Sequence, residues 1–267
     1  NALFKDQLEA GVPNLFPLSA ARSMYEPFHT LKFYGAASYV DQIRAGITYF
    51  VQKKGKKSLC AMYQDTDFGK EVLDGVTLQA EKLKIKVVET VTHKPTDQDF
   101  TAQITKLKGA GCDLVAMGTI VRDTIVPYAT ARKIGWTDVD FLGSAAAYDL
   151  FVAAAQGGVT EGFYAMGLTD MPYRDKLGAP AQGWFDRYKE RYKADPNIGA
   201  VYGQVAADLT VGHSLGEIAA IDSEGAALHQ DVEIRPWVDF KNLDFVLVLT
   251  ESGPKIENEP TSTETQR

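Results

Sequence analysis

The sequence predicts an α/β protein built on a parallel, doubly wound sheet. Three observations carry that prediction. Strand-like and helix-like segments alternate with short connections between residues 57 and 167, the pattern that lays helices over both faces of one sheet. The strand candidates are short apolar runs of the kind found in buried strands. The helix candidates open on capping side chains or close on glycine.

The elements follow in order. Residues 1–5 (NALFK) have the look of mid-helix, 12–18 of a strand and 32–36 of a short crossing strand. Residues 57–64 (KSLCAMYQ) form a buried strand, and Asp65, Thr66 and Asp67 make an N-cap cluster for a helix over 68–84 with apolar positions at Val72, Val76 and Leu83. Residues 85–92 (IKVVETVT) alternate as a strand does. A cap at 96–98 precedes a helix with Phe100, Ile104 and Leu107 at i, i+4 and i+7, stopped by Gly109 and Gly111. Residues 113–118 are the next strand, 123–134 a helix ended by Gly135, 139–143 a strand, 148–156 a short helix closed by Gly157 and Gly158, and 161–167 a strand. Residues 180–193 are amphipathic, with Trp184, Phe185, Tyr188 and Tyr192 on one broad face, and 201–221 form a long Ala-rich helix. Residues 232–240 and 243–250 suggest two strands, paired as a hairpin around Lys241 and Asn242. Residues 251–267, polar and carrying Pro254 and Pro260, suggest a frayed tail. No internal repeat or low-complexity tract interrupts this order.

Composition narrows the function. The chain has 267 residues, 45% of them hydrophobic and 24% charged, with a net charge of -7. This is a globular composition, and its acidity argues against a nucleic-acid partner, which needs clustered Lys and Arg. No window approaches the ~20 consecutive apolar residues of a membrane span, and no signal peptide is present. Cys60 and Cys112 each lie in or beside an apolar run. They are expected as small buried thiols, with a disulfide as the unsupported alternative. His29, His93, His213 and His229 are scattered without the close spacing of metal ligands, so neither a metal nor a cofactor is expected.

Several strings then resemble one family. They are AMYQDTDFGKEVLDGV (61–76), TVTHKPTDQDFTAQITKLKGAGCDLVAMGT (90–119), ARKIGW (131–136), FLGSAAAYD (141–149), GGVTEGFYA (157–165) and PNIGAVYGQVAADL (196–209). None is diagnostic alone, but their order and spacing resemble the leucine/isoleucine/valine-type, or type I, periplasmic solute-binding proteins. The resemblance implies two α/β lobes hinged by crossing strands and closing on a small molecule. On that pattern 1–36 is a partial lobe 1, 37–165 is lobe 2, 166–221 are helices returning towards the hinge, 222–250 are C-terminal strands and 251–267 is the tail. The first half of lobe 1, with a loop that usually holds an amino-acid carboxylate, is missing from this pattern, and residues 210–235 fit it poorly.

In open α/β sheets, ligands sit at the carboxyl ends of the strands. That rule selects residues 19–22, 64–68, 119–122 and 144–148, the loops that line the cleft in the family. Ser19 and Ala20 would offer a hydroxyl and N–H groups to an anion, with Arg22 beside them. Phe68 stands where relatives often place an aromatic ring that stacks on the ligand; packing of the helix start is the competing role. Thr119, Ile120 and Val121 follow a central strand. Arg122 suits bidentate pairing with a carboxylate, or else is a surface Arg beside Asp123. Relatives that bind amino acids often carry an acidic residue near 144–148 to hold the ligand ammonium. Here Ser144, Ala145, Ala146, Ala147 and Tyr148 supply none. An α-amino group buried there would lack a partner, so a carboxylate without an ammonium, such as an aromatic acid, is favoured, with Tyr148, Tyr39 and Tyr34 as further walls. Hinge packing is the alternative for the last two.

One motif points elsewhere. Gly212-His213-Ser214-Leu215-Gly216 matches the G-x-S-x-G nucleophile elbow, and GHSLGEIAA resembles the active-site turn of malonyl-CoA acyltransferases. Such an elbow needs a strand ending before Ser214 and a distant His base. The preceding residues instead continue a helical pattern, and only His229 follows. The sequence therefore predicts a binding protein and not an enzyme: the extracytoplasmic, periplasmic component of an ABC importer, with a leader in its precursor, monomeric, binding a small carboxylate and docking on a membrane permease. A branched-chain amino acid ligand and a serine acyltransferase using Ser214 are the alternatives.

Overall fold

A computed structural model of the chain describes residues 4–214, 247–249 and 255–256. It divides into two compact units, one from Asn1–Ser38 with Met171–Lys241 and the other from Tyr39–Asp170 with Asn242–Arg267. The first unit opens with α1 (Phe4–Glu9), β1 (Asn14–Leu15), a 3-10 turn over Arg22–Met24 and β2 (Lys32–Phe33). β1 and β2 pair in parallel, so the two strands expected here exist but are only two residues long.

The second unit carries the sheet. Its elements are α2 (Tyr39–Lys53), β3 (Ser58–Gln64), α3 (Asp67–Leu83), β4 (Lys86–His93), α4 (Thr101–Gly109), β5 (Leu114–Gly118), α5 (Val121–Lys133), β6 (Asp140–Gly143), α6 (Leu150–Ala153), β7 (Phe163–Ala165), β8 (Leu247–Leu249) and β9 (Lys255–Ile256). The strand order is β4-β3-β5-β6-β7-β8-β9. β3 to β7 are all parallel, and β8 and β9 add an antiparallel edge. Side-chain alternation divides the core. Leu59, Ala61, Leu114, Ala116 and Leu142 join Ile43, Ile47 and Phe50 of α2 and Val72, Val76 and Ala80 of α3 in one cluster. On the other face Phe141 meets Tyr128 at 5.2 Å and Trp136 at 5.6 Å between ring centroids. All five β5 residues are buried, as expected of a strand covered on both faces, and each fully buried large apolar side chain contributes about 1.5–3 kcal/mol. The aromatic side is latched by Tyr128, whose hydroxyl donates to the Glu161 carbonyl at 2.6 Å and accepts from Arg132 at 2.8 Å. Burial pushes its phenol pKa up despite the adjacent guanidinium.

The chain then returns to the first unit through α7 (Ala179–Tyr192) and α8 (Ile198–Ser214). Among the described residues no helix is long and apolar enough to cross a membrane.

Three expectations need correction, and α2 answers to no element read from the sequence. Its buried Val40, Ile43, Ile47 and Phe50 form a stripe, but Gly46 in its middle weighs against a helix on propensity. Glycine at 46 lets the helix pack closely on the sheet, since a Cβ there would lie 2.6 Å from Leu142 Cδ2, which would have to move aside. The helix expected over 148–156 is four residues of α6 followed by a 3-10 turn, Gln156–Gly158. α4 begins after Asp99, whose carboxylate accepts from the Thr101 amide and hydroxyl, rather than at 96–98. Finally, the cysteines are not separate thiols: Cys60 and Cys112 form a disulfide with Cα atoms 5.8 Å apart. β3 and β5 are adjacent, and Cys60 pairs with Val115, which brings the residues just before β5 within reach. The strand expected at 232–240, its hairpin and the 215–221 end of the last helix lie outside the described residues. The second strand appears as β8, and β9 falls in the segment expected to be a frayed tail.

The disulfide closes a loop of 52 residues, for which the chain-entropy model gives an upper value of about 4 kcal/mol. The Cys60→Ala/Cys112→Ala double variant is expected to lose about 2–4 kcal/mol of unfolding free energy, read from urea titration, with a steeper slope because the unfolded chain is no longer cross-linked.

Candidate functional site

Because β3, β5 and β6 run parallel, the three loops at their carboxyl ends lie along one edge of the second unit. At the first, the Thr66 side chain caps α3 by accepting from the Gly69 amide at 3.3 Å. The turn is so tight that a Cβ on Gly69 would lie 2.0 Å from the Gln64 carbonyl oxygen. Phe68 is thereby held at the start of α3, half-buried, edge-on to Tyr39 of α2 at 4.7 Å between centroids. Both ends of that aromatic pair were named as candidates, and the fold brings them together. Asp65, exposed, pairs with Lys70 at 3.4 Å.

At the second loop Thr119 is fully buried and its hydroxyl bonds that of Thr124 at 2.7 Å. Ile120 is 48% exposed. Arg122 is exposed and donates one N–H to the Pro95 carbonyl, rather than pairing with its neighbour Asp123. Asp123 is 2% exposed and serves three donors. Its Oδ2 accepts from Gln64 Nε2 and from His93 Nε2, each at 2.7 Å, and its Oδ1 accepts the Ile120 amide at 2.9 Å. Sequence reasoning missed this node. The available signal was a polar residue closing each of two adjacent apolar strands: Gln64 and His93 end β3 and β4 and are register partners.

At the third loop Ser144 and Tyr148 are fully buried. The Ser144 hydroxyl accepts the Ala146 amide at 3.3 Å, and the Ala145 amide donates to Gln42 Oε1 at 2.7 Å. Asp149, the next acidic residue, accepts the Phe151 amide at 2.8 Å as the cap of α6.

Ser19, Ala20 and Arg22 belong to the other unit. Ala20 is buried, Ser19 and Arg22 are half-buried, and the Ser19 hydroxyl accepts the Ala21 amide at 3.4 Å. Lys32 organises this segment. Its ammonium donates to the carbonyls of Ser23, Glu26 and Pro27 at 3.0, 3.1 and 3.2 Å, and burial lowers its pKa. Tyr34 stacks on Tyr25 at 5.5 Å between centroids.

The competing motif has the wrong local structure. α8 runs unbroken through Gly212 and His213 to Ser214, so the strand that an elbow requires before its nucleophile is absent. Leu215, Gly216 and His229 lie outside the described residues.

Comparison with known proteins bears on the same features. The family model described as periplasmic binding protein matches residues 9–224. The Leu/Ile/Val-binding protein homolog 7 of Brucella suis is 21% identical over 225 residues, 80% of this chain and 56% of the relative. The chain thus spans a little over half the length of the curated relatives it matches. A branched-chain amino acid ABC transporter protein from Thermus thermophilus, solved with bound valine, aligns with a TM-score of 0.75 at 17% identity over 98% of this chain and 75% of that one. A solute-binding protein of an ABC transporter from Rhodopseudomonas palustris, solved with benzoate, aligns with a TM-score of 0.69 at 16% identity over 96% and 73%. At these identities the likeness is one of fold.

Asp123→Ala would leave two buried donors and the part-buried Ile120 amide without their acceptor, and is expected to lower unfolding free energy by about 3–5 kcal/mol. Exposed Arg122→Ala is expected to change it by about 0.5 kcal/mol or less. Denaturant titration of the two variants makes the comparison.

Proposed function

The chain belongs to the periplasmic binding protein family, and from that membership we propose that it is part of the extracytoplasmic solute receptor of an ABC importer that takes a small carboxylate, an aromatic acid in preference to an amino acid. The proposed binding step is closure of the lobes on the acid, after which the loaded receptor docks on its membrane permease. Binding, not catalysis, is the role. The disulfide between Cys60 and Cys112 supports an oxidising, extracytoplasmic compartment.

The observation that carries the ligand class is the state of the acidic groups at the two loops after β5 and β6. The 144–148 loop contains no carboxylate. The neighbouring Asp149 is spent on a helix cap, and Asp123 on three internal donors. An incoming ammonium would have to compete for these groups or be desolvated without a partner, at a cost of several kcal/mol. A carboxylate meets better terms. Arg122 uses one N–H on Pro95 and, of the five a guanidinium carries, keeps others for an anion. Tyr39 and Phe68 offer an edge-to-face aromatic wall. Ile120 and the Ala145 backbone are the further proposed contacts of this unit, and Ser19, Ala20 and Arg22 are proposed contacts on the resemblance to the family alone. The benzoate-bound and valine-bound relatives correspond to the two ligand classes, so a branched-chain amino acid is the second reading.

A thermal-shift series with benzoate, 4-hydroxybenzoate, p-coumarate, leucine and valine tests this. Ligand at roughly 100 times its Kd adds about 2.7 kcal/mol, a rise on the order of 5–10 °C for a chain of this size. A rise with the aromatic acids alone is expected; a rise confined to leucine or valine transfers the site to the second reading. Arg122→Ala is expected to weaken the responding acid about 10- to 100-fold, the loss of a hydrogen-bonded charge pair, as read by titration calorimetry.

A further inference from the structure

We infer that His93 is a positioning residue of the binding edge: it acts through Asp123 to fix the backbone of the loop at 119–122. The inference rests on the proposed function for its ligand, but its geometry stands independently. A carboxylate oxygen accepts, so in the 2.7 Å contact with Asp123 Oδ2 the His93 Nε2–H is the donor. The other ring nitrogen, Nδ1, is buried with no hydrogen-bond partner among the described residues. A proton there would be a buried donor with nothing to meet. The ring edge packs against Phe100 at 5.1 Å between centroids, and the side chain is sealed from solvent.

The consequence reaches the surface one residue away. Gln64 closes β3, His93 closes β4, and both converge on Oδ2 of Asp123, while Oδ1 draws in the Ile120 amide. The carboxylate therefore ties the ends of two strands to the entry of α5 at the point where Ile120 emerges 48% exposed and Arg122 follows it, exposed, on α5. Removing the imidazole donor frees one corner of this clamp and lets the loop shift, although His93 itself never reaches the ligand. A core histidine with no such role would change stability without changing the affinity of the folded protein.

Two isosteric replacements separate these cases. In Gln the amide nitrogen occupies the place of Nε2 and still donates to Asp123; in Asn it occupies the place of Nδ1 and falls short. Benzoate affinity by titration calorimetry is expected to fall roughly 10-fold or more in His93→Asn, the loss of a hydrogen bond to a charged group, and to stay within about 3-fold of the parent in His93→Gln. Amide hydrogen exchange in the ligand-free protein should rise about 10-fold at residues 120–124 in His93→Asn, with α3 unchanged, and should not rise in His93→Gln. Equal affinities and equal exchange in the two variants, or exchange raised throughout the second unit, would overturn the inference. If the parent protein binds neither benzoate nor valine, the functional reading fails, and the exchange comparison alone decides whether His93 holds the loop.

Discussion

A parallel sheet covered on both faces leaves only its strand ends for recognition, and this constraint organises the rest of the molecule. α2 and α3 seal one face through Ile43, Ile47, Phe50, Val72 and Val76, and the aromatic cluster around Tyr128, Phe141 and Phe163 seals the other. With no face open to water, loops and helix N-termini at the carboxyl edge are where backbone donors and polar side chains can meet a solute. The same burial makes each polar group just inside that edge demanding, because one left without a partner costs far more there than at the surface.

The Asp123 node resolves that demand. A buried carboxylate in a low-dielectric interior is tolerated only when several donors converge on it, and here one backbone and two side-chain donors do so. Beside it the Thr119 and Thr124 hydroxyls satisfy each other, and at the next loop Gln42 accepts the Ala145 amide. Side chains from β3, β4 and α2, none of them in the candidate loops after β5 and β6, thus fix the backbone of those loops. Binding edges gain from such rigidity, since loops already ordered lose less entropy when a ligand arrives.

Much of this was legible in the sequence and some of it could not have been. The strand–helix alternation from β3 to β7 was written in local patterns: capping by Thr66, the Phe100–Ile104–Leu107 stripe, the fully apolar run of β5. Phe68 and Tyr39 were both singled out, although their mutual contact depends on how α2 crosses α3. What escaped was non-local. α2 was hidden by Gly46, whose missing Cβ makes sense only once Leu142 is packed against it. The disulfide depends on strand order, since nothing between residues 60 and 112 announces that β3 and β5 are neighbours. His93 and Gln64 lie 30 and 59 positions from Asp123, beyond any helical or strand period, so a scan for spaced ligands finds only isolated polar residues.

The same distinction between local pattern and context governs the choice of ligand and of function. GHSLG is a sharp local match, yet a nucleophile elbow is a backbone geometry, and a helix running through Gly212 and His213 to Ser214 cannot present the serine on a strand-to-helix turn. Conversely, an acidic residue near a binding loop is no signal of an ammonium site until its lone pairs are counted. Asp123 and Asp149 both stand beside candidate loops, and both are already committed to donors of the protein itself. A carboxylate that holds its own helix start cannot also neutralise a ligand without releasing that start. At the loop after β5 the exposed charge is the guanidinium of Arg122, tethered at one nitrogen.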